Sequence, residues 1–259
     1  MGFRFRVLRS GVKIEIHVGP CNIFALIMKA YRYLFFDLDH TLWDFDSNAK
    51  QTLEELHRNL SLYDRGITDF DRFYRTYLLH NEKLWDRYRK GFIKVDELRW
   101  KRMWHTLLDF KIGDDKLARN MADEFLRMLP SRRLVFPHTM ELLNYLRNKG
   151  YEMHLITNGF EKTQHEKIKN AGLSDYFGQV ITSEGSNSLK PHKEIFDYAF
   201  KLTGANAANS VMIGDSIEAD IIGAANAGMD QIFVNHTNAI TDFKPTYTVY
   251  SLKELETIF

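Results

Sequence analysis

The sequence predicts an α/β protein: a doubly wound parallel sheet interrupted after its first strand by a bundle of helices. Two observations predict it. Past residue 137, short apolar runs alternate with helical segments, the pattern of a parallel sheet with helices on its faces. Between about Asp46 and Leu129, apolar residues instead recur at helical spacing with few breakers.

The elements follow in order. Tyr33-Leu34-Phe35-Phe36 is an unbroken apolar run, as expected of a strand buried on both faces. It leads into Asp37-Leu38-Asp39-His40-Thr41. Amphipathic patterns then predict helices over Ser47–Asn59, Asp69–Arg89, Lys94–Phe110 and Asp114–Leu129. Gly66, Gly91 and Gly113 fall between them and Pro130 closes the set. Aromatic pairs on these helices (Phe73 and Tyr77, Trp85 and Tyr88, Trp100 and Trp104) read as bundle core, with room for one or two to face a substrate. Beyond Pro137 the pattern predicts a helix over Thr139–Asn148, a strand over Tyr151–Ile156 and a helix over about Glu161–Ala171. A strand at Gln179–Thr182 and a helix at His192–Leu202 come next, followed by a strand at Val211–Ile213 and a helix from about Ile217 to Asn226. Ile232–Val234 is a further strand and Ser251–Ile258 a closing helix.

Charge is unevenly spread. Lys and Arg number 35 and Asp and Glu 34, a formal net charge of +1 that offers no general attraction to nucleic acid or an anionic membrane. Residues 1–32 hold Arg4, Arg6, Arg9, Lys13, Lys29 and Arg32 against the single acid Glu15, so a basic head offsets an acidic body. The longest apolar run, Ile23–Met28, is far short of the roughly 20 residues of a membrane span. The head loosely imitates a signal peptide, but Asn22 and Lys29 bound its apolar segment too tightly. Val12–Ile16 alternates as a short strand does, and Met28 offers an alternative start of translation. Residues 1–27 are therefore expected to be an extension irrelevant to the chemistry. The single cysteine, Cys21, excludes an intrachain disulfide and a cysteine zinc site, so reducing, cytoplasmic surroundings are expected. A Walker phosphate loop, G-x-G-x-x-G, H-E-x-x-H and G-x-S-x-G are all absent.

The chemistry gathers where strands end, the usual ligand position in open α/β sheets. Asp37 and Asp39 follow the first strand, Thr157 and Asn158 the second, Lys190 the third and Asp215 the fourth. Taken singly, each has an ordinary explanation as a turn residue, a helix cap or a solvated lysine. Asp37 and Asp39, two residues apart, leave an extended chain on the same side, where unpaired carboxylates repel. A divalent cation relieves that repulsion, with Asp215 as a third acid ligand. Oxygen donors without a His or Cys cluster favour Mg²⁺. The set describes phosphoryl transfer. Asp37 is the expected nucleophile, forming an aspartyl phosphate, and Asp39 the group that protonates the leaving oxygen and then activates water. Thr157 Oγ and the Asn158 N–H hold phosphate oxygens, while Lys190 offsets their charge.

In this order, Asp37-Leu38-Asp39-His40-Thr41, Thr157-Asn158, Lys190-Pro191 and Gly214-Asp215-Ser216-Ile217-Glu218-Ala219-Asp220 resemble the four motifs of the haloacid dehalogenase superfamily. The resemblance spans about Tyr33 to Asn235. It implies a Rossmann-like core at 28–45 and 131–259, and a helical cap of the first type at 46–130. It further implies a Mg²⁺-dependent aspartate nucleophile, metal ligation by the Asp39 backbone carbonyl, and Asp220 as a nearby acid supporting the metal site. True dehalogenases lack the second acid of the first motif, so carbon–halogen hydrolysis is not expected. Phe36–Phe45 and Leu155–Phe160 look like the pyrimidine 5′-nucleotidase subgroup, whose members remove phosphate from nucleoside monophosphates. The expected partner is thus a small phosphomonoester, with neither a nucleic-acid polymer nor a membrane, for a monomer or homodimer. A sugar-phosphate phosphatase, or a phosphomutase similar to β-phosphoglucomutase, uses the same residues. A receiver-type or non-catalytic phosphate-binding module fits the arrangement poorly.

Overall fold

The computed structural model describes residues 3–9, 12–18 and 31–259. Strands β1 (Phe3–Arg9) and β2 (Val12–Val18) pair antiparallel, with Phe3 opposite Val18. The alternation at Val12–Ile16 falls within β2. Cys21, the apolar run Ile23–Met28 and the Met28 start lie outside the described residues.

The main sheet has six parallel strands: β3 (Tyr33–Phe36), β4 (Glu152–Thr157), β5 (Val180–Thr182), β6 (Ser210–Gly214), β7 (Asp230–Val234) and β8 (Tyr247–Val249). Their spatial order is β5-β4-β3-β6-β7-β8, so the winding reverses beside β3 and opens a crevice at its carboxyl end. Alternate residues of β3 enter opposite layers, as a pleated strand requires. Leu34 and Phe36 join one apolar cluster with Leu142, Leu143 and Leu146. Tyr33 and Phe35 join another with Ile195, Phe196 and Ala224. The sheet is thereby covered on both faces, which gives the Rossmann-like α/β core.

Helices α1 (Phe45–Asn59), α2 (Phe70–Arg89), α3 (Val95–Asp109) and α4 (Asp115–Met128) lie between β3 and β4 in sequence. Aspartates cap three of them: Asp44, Asp69 and Asp114 accept from the backbone N–H three residues on, which fixes where α1, α2 and α4 begin. The chain enters and leaves this insertion along one narrow ribbon. Trp43 pairs with Val135, Asp44 N–H donates to Leu134 O, and Phe136 N–H donates to Leu42 O. Asn48 ties the ribbon further through both side-chain atoms to the Leu134 backbone.

The remaining helices are α5 (Thr139–Asn148), α6 (Glu161–Asn170), a single turn α7 (Ser183–Ser186), α8 (Lys193–Thr203) and a second short turn α9 (Gly223–Asn226). Strand β1 and the turn α7 are not expected from the sequence, and three further features depart from that expectation. β8 is an additional edge strand of three residues. The closing helix is a 3₁₀ helix, Leu252–Thr257. The segment expected to begin as an α-helix at Ile217 instead opens with a π-helical stretch, Ile217–Ile222, before α9, with Ile221 N–H reaching back to Ser216 O. Among the described residues, no helix is long and apolar enough to cross a membrane.

Gly223 sets how closely α9 approaches the loop after β5. A Cβ there would stand 2.9 Å from Pro191 Cα and 3.0 Å from a Phe196 ring carbon. Gly223→Ala is therefore expected to overpack the joint and destabilise the protein by about 1–3 kcal/mol. Urea unfolding checks this: the midpoint falls with an unchanged slope. An unchanged midpoint contradicts it.

Candidate active site

The functional side chains gather at the carboxyl end of the sheet: Thr157 closes β4, Asp37, Asn158 and Asp215 directly follow β3, β4 and β6, and Lys190 and Asp220 stand farther along the chain. The β3 ladder extends one residue beyond Phe36, since Asp37 N–H donates to Ile213 O at 2.9 Å. The chain then turns sharply, with Leu42 and Trp43 N–H groups both donating to Leu38 O. Leu38 is buried in the core, which leaves Asp37 and Asp39 on the crevice side. β6 delivers Asp215 beside them, and Thr41 Oγ1–H donates to Asp215 Oδ1 at 2.8 Å.

Lys190 lies at the centre, only 2% exposed. Its ammonium donates to Asp37 Oδ1 at 2.5 Å, to Asp220 Oδ1 at 2.6 Å and to Ile156 O at 2.6 Å. Three acceptors use all three of its N–H groups. The Asn158 side chain holds the lysine's backbone: Nδ2–H donates to Lys190 O at 2.9 Å and Oδ1 accepts Lys190 N–H at 2.8 Å. Asp220 is buried on the π-helical stretch, and its Oδ2 accepts Ser216 N–H at 3.0 Å. The wider turn is what lets Asp220 serve Lys190 and the loop after β6 together. Gly214 makes room for it, because a Cβ at Gly214 would collide with the Asp220 carboxylate.

Carboxylate oxygens of Asp37, Asp215 and Asp220 lie within 4.8 Å of one another. Burial drives the Asp37 carboxyl well above its ordinary range; Lys190 opposes this, and the Asp220 and Asp215 charges add to it. Asp215 is pushed up to about 7, first by burial and then by Asp220. Burial acts downward on Lys190, but Asp220 and Asp37 outweigh it and hold the ammonium above its ordinary value. Three carboxylates thus face one ammonium, and the surplus negative charge is relieved by protons or by a cation. An all-oxygen donor set of this charge fits a hard divalent cation such as Mg²⁺.

Asp39 stands apart from that cluster. Its carboxylate accepts from Lys167 Nζ at 2.6 and 2.9 Å and from Gln164 Nε2 at 3.0 Å. Gln164 also donates to Thr157 Oγ1 at 2.7 Å, which accepts Gly159 N–H as well, at 3.1 Å. Lys167 is buried, its ammonium 4.3 Å from the Trp43 ring centroid, and burial holds it below the ordinary lysine range against the pull of Asp39.

A cavity of about 240 Å³ opens over these groups. Its floor includes Asp37, Asp39, Thr157, Asn158, Lys190, Asp215 and Asp220, so every residue singled out from sequence lines one space. Its roof comes from α2, through Asn81, Glu82, Trp85 and Arg89. Of the aromatic pairs on the helices, Phe73 and Tyr77 are core, while Trp85 faces the cavity and stacks on Phe160. Gln164, Lys167 and the α2 residues escape a reading by motifs. Gln164 and Lys167 lie three apart on the one face of α6 that the fold buries.

A family model described as haloacid dehalogenase-like hydrolase matches residues 31–228. The chain belongs to that family. It is 32% identical over 228 residues to the pyrimidine 5′-nucleotidase PynA of Streptococcus pneumoniae, covering 87% of this chain and 93% of that one. It is 33% identical to the pyrimidine 5′-nucleotidase YjjG of Escherichia coli, covering 86% and 96%. The fold is similar to the magnesium-bound crystal structure of YfnB from Bacillus subtilis, with a TM-score of 0.80 and 28% identity. That likeness covers 89% of this chain and 99% of that one. The YfnB structure is described as revealing interdomain movement.

If the acid cluster holds Mg²⁺, the ion at about one hundred times its dissociation constant raises stability by about 2.7 kcal/mol over the chelator-treated protein. Asp215→Asn is expected to lose most of that gain while remaining folded. Thermal melts with and without Mg²⁺ check this, and an equal gain in the variant contradicts it.

Proposed function

We propose that the protein is a Mg²⁺-dependent phosphatase acting on a pyrimidine nucleoside 5′-monophosphate through an aspartyl phosphate on Asp37. The observation that carries this reading is the pairing of a buried Asp37 with Lys190, beside Asp215 and Asp220, directly below a cavity roofed by Trp85 and Asn81. The two nucleotidase relatives, PynA and YjjG, support the choice of substrate.

Asp37, Asp215 and the Asp39 backbone carbonyl are the metal ligands in this reading, with Asp220 supporting them. The bound ion supplies positive charge to the phosphate oxygens. The chain's own residues do the rest. Attack of an anionic carboxylate on an anionic phosphate is opposed by charge. Lys190 offsets that, since unit charges 4 Å apart interact by about 4 kcal/mol at an effective dielectric of 20. An Asp37 oxygen bonds to phosphorus as the bond to the ribose oxygen breaks, and protonated Asp39 gives that oxygen its proton. Water then attacks the phosphorus of the aspartyl phosphate. Asp39 takes the water's proton, and Asp37 is released with inorganic phosphate. Thr157 donates its hydroxyl to a phosphate oxygen, because its two accepted hydrogen bonds already orient it. The Asn158 backbone N–H is a further phosphate donor in this reading, while its side chain keeps Lys190 in place.

The roof supplies recognition. Trp85, backed by Phe160, offers a flat surface for a base. The Asn81 carbonyl accepts from Arg102 Nη1 at 2.9 Å, and Arg102 has only donors, so the amide NH₂ is left for the cavity. An NH₂ donor pairs with a ring carbonyl, which every pyrimidine base carries. The helical insertion α1–α4 acts as a cap in this reading, with the ribbon at Trp43–Ser47 and Pro130–Pro137 as its hinge. Closure excludes bulk water from the reaction.

Phosphate release from a panel of nucleoside monophosphates and sugar phosphates with Mg²⁺ tests the assignment. Pyrimidine nucleotides are expected to turn over best. Asp37→Asn is expected to abolish turnover while melting like the parent. Base stacking contributes about 1–3 kcal/mol, so Trp85→Leu should lower kcat/KM for pyrimidine nucleotides roughly 5- to 150-fold. p-Nitrophenyl phosphate, lacking the nucleoside, should be affected far less. A preference for sugar phosphates, or sugar-phosphate isomerisation without phosphate release, contradicts the substrate assignment.

A further inference from the structure

Gln164 and Lys167 are unusual tenants of a buried helix face. Lys167 is 2% exposed and Gln164 fully buried, although each side chain is costly to remove from water. Both converge on the Asp39 carboxylate, which they engage through three hydrogen bonds. The Lys167 ammonium is enclosed by the Trp43 and Phe45 rings, at 4.3 and 5.5 Å, so its position is set by packing as well as by charge.

Gln164 has a second task. Its two amide hydrogens are divided between Asp39 Oδ2 and Thr157 Oγ1, while its carbonyl oxygen is buried with no partner among the described residues. Asp39 Oδ2 accepts from this amide, which is turned with its NH₂ toward Asp39 at the expense of its own oxygen. The same orientation leaves Thr157 its hydroxyl hydrogen for a phosphate oxygen. Gly159 permits the arrangement, because a Cβ there would collide with the Gln164 amide.

In two successive in-line displacements on one phosphorus, the departing oxygen and the later attacking water occupy the same position, opposite Asp37. A carboxylate that gives a proton to the first and takes one from the second therefore gains from being held still rather than re-aimed. We propose that Lys167 and Gln164 are positioning residues of the reaction. Lys167 fixes the Asp39 carboxylate toward that shared position, and Gln164 locks it to the phosphate-binding hydroxyl of Thr157. This rests on the reading of Asp39 as the acid and base given above.

The test is selectivity between leaving groups. kcat/KM reports events up to departure of the leaving oxygen. A nucleoside monophosphate expels an alkoxide that needs the Asp39 proton, whereas p-nitrophenyl phosphate expels a stable phenolate that does not. In Lys167→Met, kcat/KM for the nucleotide is expected to fall about 100-fold or more, within the usual range for acid–base catalysis. For p-nitrophenyl phosphate the fall should stay below about tenfold. Gln164→Met, which introduces no buried charge, should show the same bias and also a weaker competition by inorganic phosphate. Lys167→Arg should recover part of the nucleotide activity. Equal losses on both substrates, or no loss in either variant, overturn the proposal. Failure of both Met variants to melt cooperatively does so too, because it assigns the pair a structural role. Asp39→Ala is run beside them. If it keeps the parent's ratio between substrates, the acid–base reading of Asp39 fails. If it loses that ratio while the Lys167 and Gln164 variants keep it, only the positioning role fails.

Discussion

One buried lysine organises this molecule. Lys190 donates to Asp37, Asp220 and Ile156 O from a position closed to solvent, and its own backbone is gripped by Asn158. Breaking such a pair by removing one partner leaves an uncompensated buried charge, which makes the arrangement far less tolerant than a surface ion pair. Several local features serve it. The π-helical stretch carries Asp220 inward, Gly214 clears space for that carboxylate, and the reversal of winding beside β3 brings the ends of β3, β4 and β6 together. The cluster is also deliberately unbalanced, with more carboxylate than ammonium. In the proposed function, that imbalance suits the cluster to a divalent cation.

A second charged pair runs beside the first and is kept apart from it. Asp37 shares its lysine with Asp220, whereas Asp39 has Lys167 and the Gln164 amide as its own partners. Two carboxylates two residues apart thus occupy different electrostatic surroundings, one in a crowded acid cluster and one in a closed ion pair. Such separation is what the proposed division of labour between a nucleophile and a proton carrier requires.

Much of this was legible in the sequence. The unbroken run Tyr33–Phe36 announces a strand covered on both faces, and helical periodicity broken at Gly66, Gly91 and Gly113 announces α1–α4. Asp37, Asp39, Thr157, Asn158, Lys190, Asp215 and Asp220 stand after strands, where an α/β sheet gathers its ligands, and all of them line one cavity. What escaped depends on tertiary contacts. β8 is three residues at a sheet edge, where pairing with β7 rather than local pattern makes the strand. On the π-helical stretch, Asp220 reaches both Ser216 N–H and Lys190, contacts that are invisible along the chain. Gln164 and Lys167 read as ordinary polar residues of a polar helix until α6 packs that face against the β3 loop. Trp85 is one aromatic among many on α2, and only the folded insertion turns it toward the site.

In the proposed function, Asp37 carries the phosphoryl group between substrate and water. Its most direct test is to quench the enzyme during turnover with Mg²⁺ and a pyrimidine nucleoside monophosphate, reduce with borohydride, and map the product by peptide mass spectrometry. Asp37 alone is expected to be converted from aspartate to homoserine, and only when both substrate and metal are present. An unmodified Asp37 alongside undiminished phosphate release, or conversion at a different carboxylate, contradicts it.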